Sequence, residues 1–166
     1  MRFLFATIQS FESDFYGRVG EQLTARGHDV RHVTYSRRSA RRLAARGLHA
    51  HSVRARLEPG GADVRGILAL YGRDALSEAE RIDRPSAGRS DASVRRRTLA
   101  HVRVLERLFD DGSPDVLVSE PGSELLRSVA HLVARERGVP TLWPAYTIFP
   151  APLRLPVYAI QAPIVP

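Results

Sequence analysis

The chain has 166 residues, enough for one domain with a real core and too few for two of ordinary size. It contains no cysteine, which excludes disulfides and thiolate chemistry, and no run approaching the roughly 20 apolar residues of a membrane span. The formal net charge is +7 and all 25 basic residues are arginine, whose planar fork suits phosphates and carboxylates.

Arg2 to Ile8 reads as a first strand, a buried run Phe3-Leu4-Phe5-Ala6 ending in the polar Thr7, Gln9 and Ser10. It is too short and too strand-like for a signal peptide, so a cytoplasmic location is expected. A helix follows, with Phe15, Tyr16, Val19 and Leu23 on one face, Ser10 or Ser13 as cap, and Arg26-Gly27 at its end. Gly17 and Gly20 fall inside this helix, about nine residues past the strand. A dinucleotide fingerprint needs its glycines in the turn straight after the strand. The nucleotide-cofactor reading of this half therefore loses its main support.

His28-Asp29 turns the chain into a second strand, Val30 to Tyr35, and Ser36 to Gly47 reads as a short helix capped by Ser36 or Ser39. Leu48 to Val53 is a third strand in which His49 and His51 share a face; without a third ligand nearby they do not define a metal site. Residues 54–93 read as a variable insert or loop with one short helix around Ile67, Leu68, Leu70 and Tyr71, and the run Asp83 to Ser93 has a flexible-loop composition. A long amphipathic helix from Val94 to Phe109 places Leu99, Val102, Leu105, Leu108 and Phe109 towards the core.

The best-specified unit is Pro114 to Pro144. Val116-Leu117-Val118 is a strand buried on both faces, and Pro121, Gly122 and Ser123 make a turn into a helix with Glu124 at its N-terminus. Leu125, Leu126, Val129, Leu132 and Val133 recur at helical spacing, with Arg127, Arg135, Glu136 and Arg137 mostly between them. Val139 to Trp143 re-enters the sheet, and such a crossover is parallel and right-handed. Open parallel sheets bind ligands beyond the carboxyl ends of their strands, which here carry Ser119, Glu120, Glu124, Tyr146 and Thr147. Capping of the helix by Glu120 and Ser123 is the plainer alternative.

The expected fold is α/β, a Rossmann-like three-layer α/β/α arrangement with a mostly parallel sheet. It fills one domain over residues 1–150. Prolines at 144, 150, 152, 156, 163 and 166 exclude a long helix or central strand beyond Trp143, so 151–166 reads as a proline-rich tail or a truncated linker to a missing second domain. The clusters Arg37-Arg38, Arg41-Arg42 and Arg95-Arg96-Arg97 lack interleaved aromatics and read as solvated helix faces, which disfavours nucleic acid as a partner.

Three stretches, MRFLFAT, EQLTARGHDVRHVTYS and PDVLVSEPGSELLRSVAHLVARERGVPTLWP, together resemble the N-terminal half of a GT-B glycosyltransferase of the capsular polysaccharide biosynthesis type. The Leu-x-x-Arg-Gly-His-x-Val turn, Leu23 to Val30, is shared by many sugar transferases and by nucleotide-sugar epimerases. Epimerases also carry the glycine fingerprint absent here, which shifts the weight towards transferases.

That resemblance implies an acceptor-binding half, inactive by itself, in surface or capsular polysaccharide synthesis. Its acceptor-side residues would be Gln9, Ser10, Tyr35, Ser36, Arg37, Ser119, Ser123, Glu124, Tyr146 and Thr147. Asp14 or Glu120 would be the catalytic base, provided burial brings its pKa nearer the working pH. His28 lies opposite the crevice and is expected to be structural. No cofactor is expected to bind tightly, no metal is implied, and a sugar-nucleotide donor is expected only with the missing second domain. The implied partners are a saccharide or lipid-linked sugar acceptor and either a C-terminal domain or a second copy held through the apolar tail. Peripheral contact with the inner membrane is a further implied location. Two other classes stay open: a stand-alone flavodoxin-like binding or regulatory domain for a small polar or phosphorylated ligand at residues 119–124, and an inactive truncated remnant.

Overall fold

The computed structural model describes residues 1–56, 64–83, 88–122 and 124–144. Five strands, β1 (Arg2–Thr7), β2 (Asp29–Thr34), β3 (His49–Ser52), β4 (Val116–Ser119) and β5 (Thr141–Leu142), form one parallel sheet in the order β3-β2-β1-β4-β5. Among the described residues seven helices join them: α1 (Ser10–Ala25), α2 (Arg37–Ala44), α3 (Val53–Arg56), α4 (Val64–Tyr71), α5 (Arg73–Ile82), α6 (Asp91–Gly112) and α7 (Leu125–Glu136). The order grows outwards from β1 in both directions. Right-handed crossovers then place the helices of the two directions on opposite faces, and the Rossmann-like α/β expectation holds.

Strand alternation sorts the core into two halves. Phe3 and Phe5 of β1, Val30 of β2 and Val118 of β4 pack with Tyr16, Val19 and Leu23 of α1. On the other face Leu4, Ala6, Val33 and Leu117 meet Val102, Leu105 and Phe109 of α6 and Leu125, Leu126 and Val129 of α7. The register aligns Phe5 with His32 and Val118 across three adjacent strands, so each layer of side chains is continuous.

The stretch around residues 54–93 differs from its loop-like composition. Tyr71, Leu76, Ala79 and Ile67 belong to the main core, and α4 and α5 pack against α6 and α7. The helix α5, RDALSEAERI, was not anticipated: only Leu76 and Ile82 are large apolar residues in it, and Ala75 and Ala79 mark a buried face weakly in a charged segment. Asp83, expected in a flexible loop, is 3% exposed and ends α5 in the interior. The long helix begins at Asp91, three residues before the apolar repeat, because Ser90 accepts a cap bond from the Ser93 amide at 3.4 Å. Tyr146, Thr147 and the proline-rich stretch lie outside the described residues.

Gly17 and Gly20 serve packing. A methyl at Gly20 would sit 2.9 Å from His32 Nε2 and 3.2 Å from Val30 Cγ1, and one at Gly17 would sit 3.1 Å from Leu43 Cδ2. The bare helix surface is what lets α1 approach α2 at Gly17 and β2 at Gly20. His32 is fully buried, stacks on Phe5 with ring centroids 5.1 Å apart, and burial lowers its pKa from 6.5 to about 4. His101 of α6 is equally buried; its Nδ1–H donates to the Arg97 carbonyl at 2.8 Å, and burial brings its pKa to about 4 as well.

Two outcomes follow from this packing. Gly20→Ala forces His32 or Val30 to shift and is expected to cost about 1–3 kcal/mol in urea denaturation; unchanged stability would show that the α1–β2 contact is loose. The unfolded chain protonates His32 and His101 near 6.5 and the folded chain only near 4, so the unfolded state binds more protons in between. Stability is therefore expected to fall as pH drops from 6.5 towards 4. His32→Leu should flatten that slope by about one proton, read from denaturation midpoints across the range.

Candidate functional site

The strand order reverses between β1 and β4, and the crevice at their carboxyl ends is where a sheet of this topology receives ligand. Its floor is a buried ion pair. Glu12, in the first turn of α1, is 2% exposed, and its Oε2 accepts from the amide of Ile8 at 2.8 Å and more weakly from that of Gln9 at 3.4 Å. Its Oε1 accepts from Arg127 Nη2 of α7 at 2.5 Å. Arg127 Nη1 donates to the Pro121 carbonyl at 2.9 Å and lies 3.2 Å from Glu124 Oε2. One guanidinium thus ties the β1–α1 turn to the β4–α7 turn. Gly122 is part of the arrangement, because a methyl there would overlap Arg127 Nη1 and Glu124 Oε2.

Arg127 was expected between apolar positions on the solvent side of its helix, yet it is 4% exposed. Its charge is compatible with burial because Glu12 and Glu124 answer it and the turn carbonyl takes a further donor. Glu12 carried the weaker signal of an acid three residues past the N-cap Gln9, and Arg127 that of a cation inside an apolar helix. Neither motif alone marks a bridge 115 residues apart in sequence.

A second network borders the crevice on the α6 side. Tyr35, just past β2, stacks on His101 with ring centroids 6.2 Å apart, and the Arg97 guanidinium lies 5.6 Å from the Tyr35 ring centre. Arg97 Nη1 donates to Asp83 Oδ2 at 2.7 Å, and Asp83 Oδ1 accepts from the Leu125 amide at 2.9 Å. The N-terminus of α7 is therefore capped by Asp83, from 42 residues earlier. Glu124 occupies the cap position, but its side chain makes no cap bond and turns to Arg127 instead. Asp83 also lines a cleft of about 660 Å³ between α5 and α6 with Glu80, Arg81, Arg89, Asp91 and Arg95. Its charges are largely matched: Arg95 meets Glu80 at 3.1 Å, and Arg81 meets Glu78 at 2.7 Å.

The anticipated site residues divide by placement. Gln9, Ser10 and Arg37 are exposed at the carboxyl edge, and Tyr35 and Glu124 are half-buried there. Glu120 is 8% exposed directly beyond β4, at the switch point. Ser119 is 1% exposed, and its hydroxyl donates to the Glu120 carbonyl at 3.3 Å. Ser36 caps α2, its Oγ accepting from the amides of Arg38 at 3.1 Å and Ser39 at 3.3 Å. Asp14 stands on the outer side of α1 with its side chain 54% exposed, 3.5 Å from Arg42, so the burial required of a base is not met there. Ser123, Tyr146 and Thr147 lie outside the described residues. His49 is exposed on the edge strand, and among the described residues no three acidic or histidine side chains gather as metal ligands. Among the described residues no helix is long and apolar enough to cross a membrane.

No protein-family model matches this chain, and no curated protein matches it in sequence. Solved structures do share its fold. The UDP-GlcNAc 2-epimerase from Neisseria meningitidis bound to UDP-GlcNAc aligns over 85% of this chain and 31% of its own, at 12% identity and a TM-score of 0.53. The glycosyltransferase VinC in complex with dTDP aligns over 85% and 33%, at 15% identity and 0.46. The spinosyn rhamnosyltransferase SpnG complexed with thymidine diphosphate aligns over the same shares, at 16% identity and 0.48. The first superposes closely enough to show a common Rossmann-like α/β fold, and at that identity it shows the fold alone. The chain spans about a third of the length of these structures.

The buried pair makes a stability prediction. Glu12→Gln or Arg127→Met, each leaving one partner buried and unanswered, is expected to cost about 3–5 kcal/mol, while the double variant should cost less than the sum of the two. Chemical denaturation of the four proteins in this cycle measures the coupling, and strictly additive losses would show that the two side chains do not act together.

Proposed function

We propose that the chain is the acceptor-binding half of a glycosyltransferase in surface or capsular polysaccharide synthesis, with the sugar nucleotide held mainly by a second domain. The observation that carries this reading is the chemistry of the switch-point crevice. The first turn of α1 has no glycine loop, and the amides of Ile8 and Gln9 already serve the Glu12 carboxylate. A phosphate entering there meets an internal anion, with Glu120 and Glu124 close by in sequence at the β4 exit. Carboxylates, the Gln9 amide and the Tyr35 phenol suit a ligand rich in hydroxyl groups instead.

Within that reading Glu120 is the proton acceptor for the acceptor hydroxyl. It is buried at the end of a central strand, where a carboxylate is held in place by the sheet. Asp14 serves less well, being exposed beside Arg42. Gln9, Ser10, Arg37 and Glu124 contribute hydrogen bonds along the edge, and without the second domain turnover is slow or absent. The likeness to a UDP-GlcNAc 2-epimerase supports a second reading, half of a sugar-nucleotide epimerase, in which the same crevice would receive part of a nucleotide sugar.

Saturation-transfer NMR on the purified chain separates the two. Oligosaccharides are expected to give signals that weaken about tenfold in apparent affinity in Glu120→Gln, while UDP-GlcNAc and dTDP give none. Nucleotide signals without saccharide signals would favour the epimerase reading. Measurable donor hydrolysis by this chain would overturn the claim that the donor site lies elsewhere.

A further inference from the structure

The turn between β1 and α1 carries the donors of an oxyanion site, and a side chain of the protein fills it. The amides of Ile8 and Gln9 and the guanidinium of Arg127 converge on the Glu12 carboxylate, which is buried. In a parallel sheet of this kind the same turn is where a phosphate is received, on backbone amides at the positive end of the first helix. Glu12 belongs to the capping box of α1 with Gln9, yet its shorter amide bond, 2.8 Å, goes to Ile8, and the bond to the cap residue is 3.4 Å. Capping thus accounts for only part of its placement. The donors also outnumber what a carboxylate can answer. One oxygen of Glu12 takes the amides and the other takes Arg127 Nη2, while Nη1 is engaged by the Pro121 carbonyl and Glu124. The buried Nε of Arg127 has no acceptor among the described residues. A tetrahedral oxyanion has an oxygen to spare for it; a planar carboxylate does not.

We propose that Glu12 is the specificity-determining residue of the switch-point crevice: its carboxylate occupies a phosphate-type anion site and keeps phosphate groups, those of nucleotides included, out of it. While it is present, an incoming phosphate meets a fixed like charge in a buried setting where charges are weakly screened. Without it, the two amides, Nη2 and Nε all lack an acceptor, and Glu124 remains on Nη1. Unanswered donors of this kind are costly when buried, so an oxyanion from solution takes the place of the lost carboxylate. Gln9 and Ser10 of the same turn are exposed, which gives such an ion a way in. The proposal rests on the reading of this crevice as a site for uncharged, hydroxyl-bearing ligands and names what makes it selective. Inorganic phosphate, with no saccharide present, tests it separately: failure of the saccharide signals leaves its outcomes unchanged.

Thermal melts of the full chain in sodium phosphate and in sodium chloride at matched ionic strength decide the matter, with the parent supplying the general effect of phosphate on a folded protein. In Glu12→Ala, phosphate at about ten times its dissociation constant is expected to raise the melting temperature by about 3–6 °C more than it does in the parent. Glu12→Ser opens the same space and should respond alike. The double variant Glu12→Ala, Arg127→Met lacks the guanidinium and should show only the parent's effect. Where a single variant is unfolded in chloride, recovery of its far-ultraviolet circular dichroism on adding phosphate is the same result. Isothermal titration with phosphate should give heats of binding in the two single variants and none in the parent. An equal gain in the double variant, or phosphate binding of similar strength by the parent, would overturn the proposal. So would a loss of stability in both Glu12 variants that phosphate does not restore, an outcome that assigns the carboxylate to helix capping and to its ion pair alone.

Discussion

The buried contact between Glu12 and Arg127 is the constraint around which this fold is arranged. A doubly wound sheet is built from two halves that grow away from its middle, and at the point of divergence no loop passes from one half to the other. Here one guanidinium makes that connection, reaching the first turn of α1 and the turn before α7 together. Such a pair adds little net stability over a well-packed apolar alternative, since both ions lose their water. Its value lies in specification. Either charge left alone in that position is costly, so the two turns hold one relative placement and the crevice above them keeps a fixed shape.

The same carboxylate decides what the turn amides face. In nucleotide-binding members of this topology the turn amides after the first strand face a phosphate. In this chain they face a carboxylate that belongs to the protein, and Gly17 and Gly20 lie further along the helix, against α2 and β2 respectively. The positions that elsewhere serve cofactor binding are given over to packing, and the groups at the carboxyl edge are side chains rather than free backbone amides.

How much of this was legible in the sequence depends on the range of the interaction. Strands such as Phe3-Leu4-Phe5-Ala6 and Val116-Leu117-Val118 declare themselves as apolar runs, and the helix after Glu124 by its spacing, because each signal is local. The carboxyl-edge positions of Gln9, Tyr35, Glu120 and Glu124 followed from topology alone. Arg127 and Glu12 did not, since a charged residue in a periodic helix reads as solvated until its partner is found, and the partner lies in another crossover. Asp83 was obscured for a similar reason: within DRPSAG it has the composition of a turn, whereas its carboxylate is committed to Arg97 and to the Leu125 amide. Helix α5 was hidden because only Leu76 and Ile82 are large apolar residues in it, and alanine at the other two apolar positions is compatible with either a buried or an exposed face.

The cap that Asp83 places on α7 bears on how the molecule assembles. Residues 114–144 have the most self-contained sequence in the chain, yet the helix at their centre receives its first backbone partner from a segment that precedes α6. A peptide of this unit would begin with that amide open to water and with Arg127 lacking Glu12. The supersecondary motif that looks most autonomous is thus completed only by contacts of large sequence separation. Loop closure must be met before those contacts form, so the cap and the ion pair of α7 carry the entropy of long-range closure.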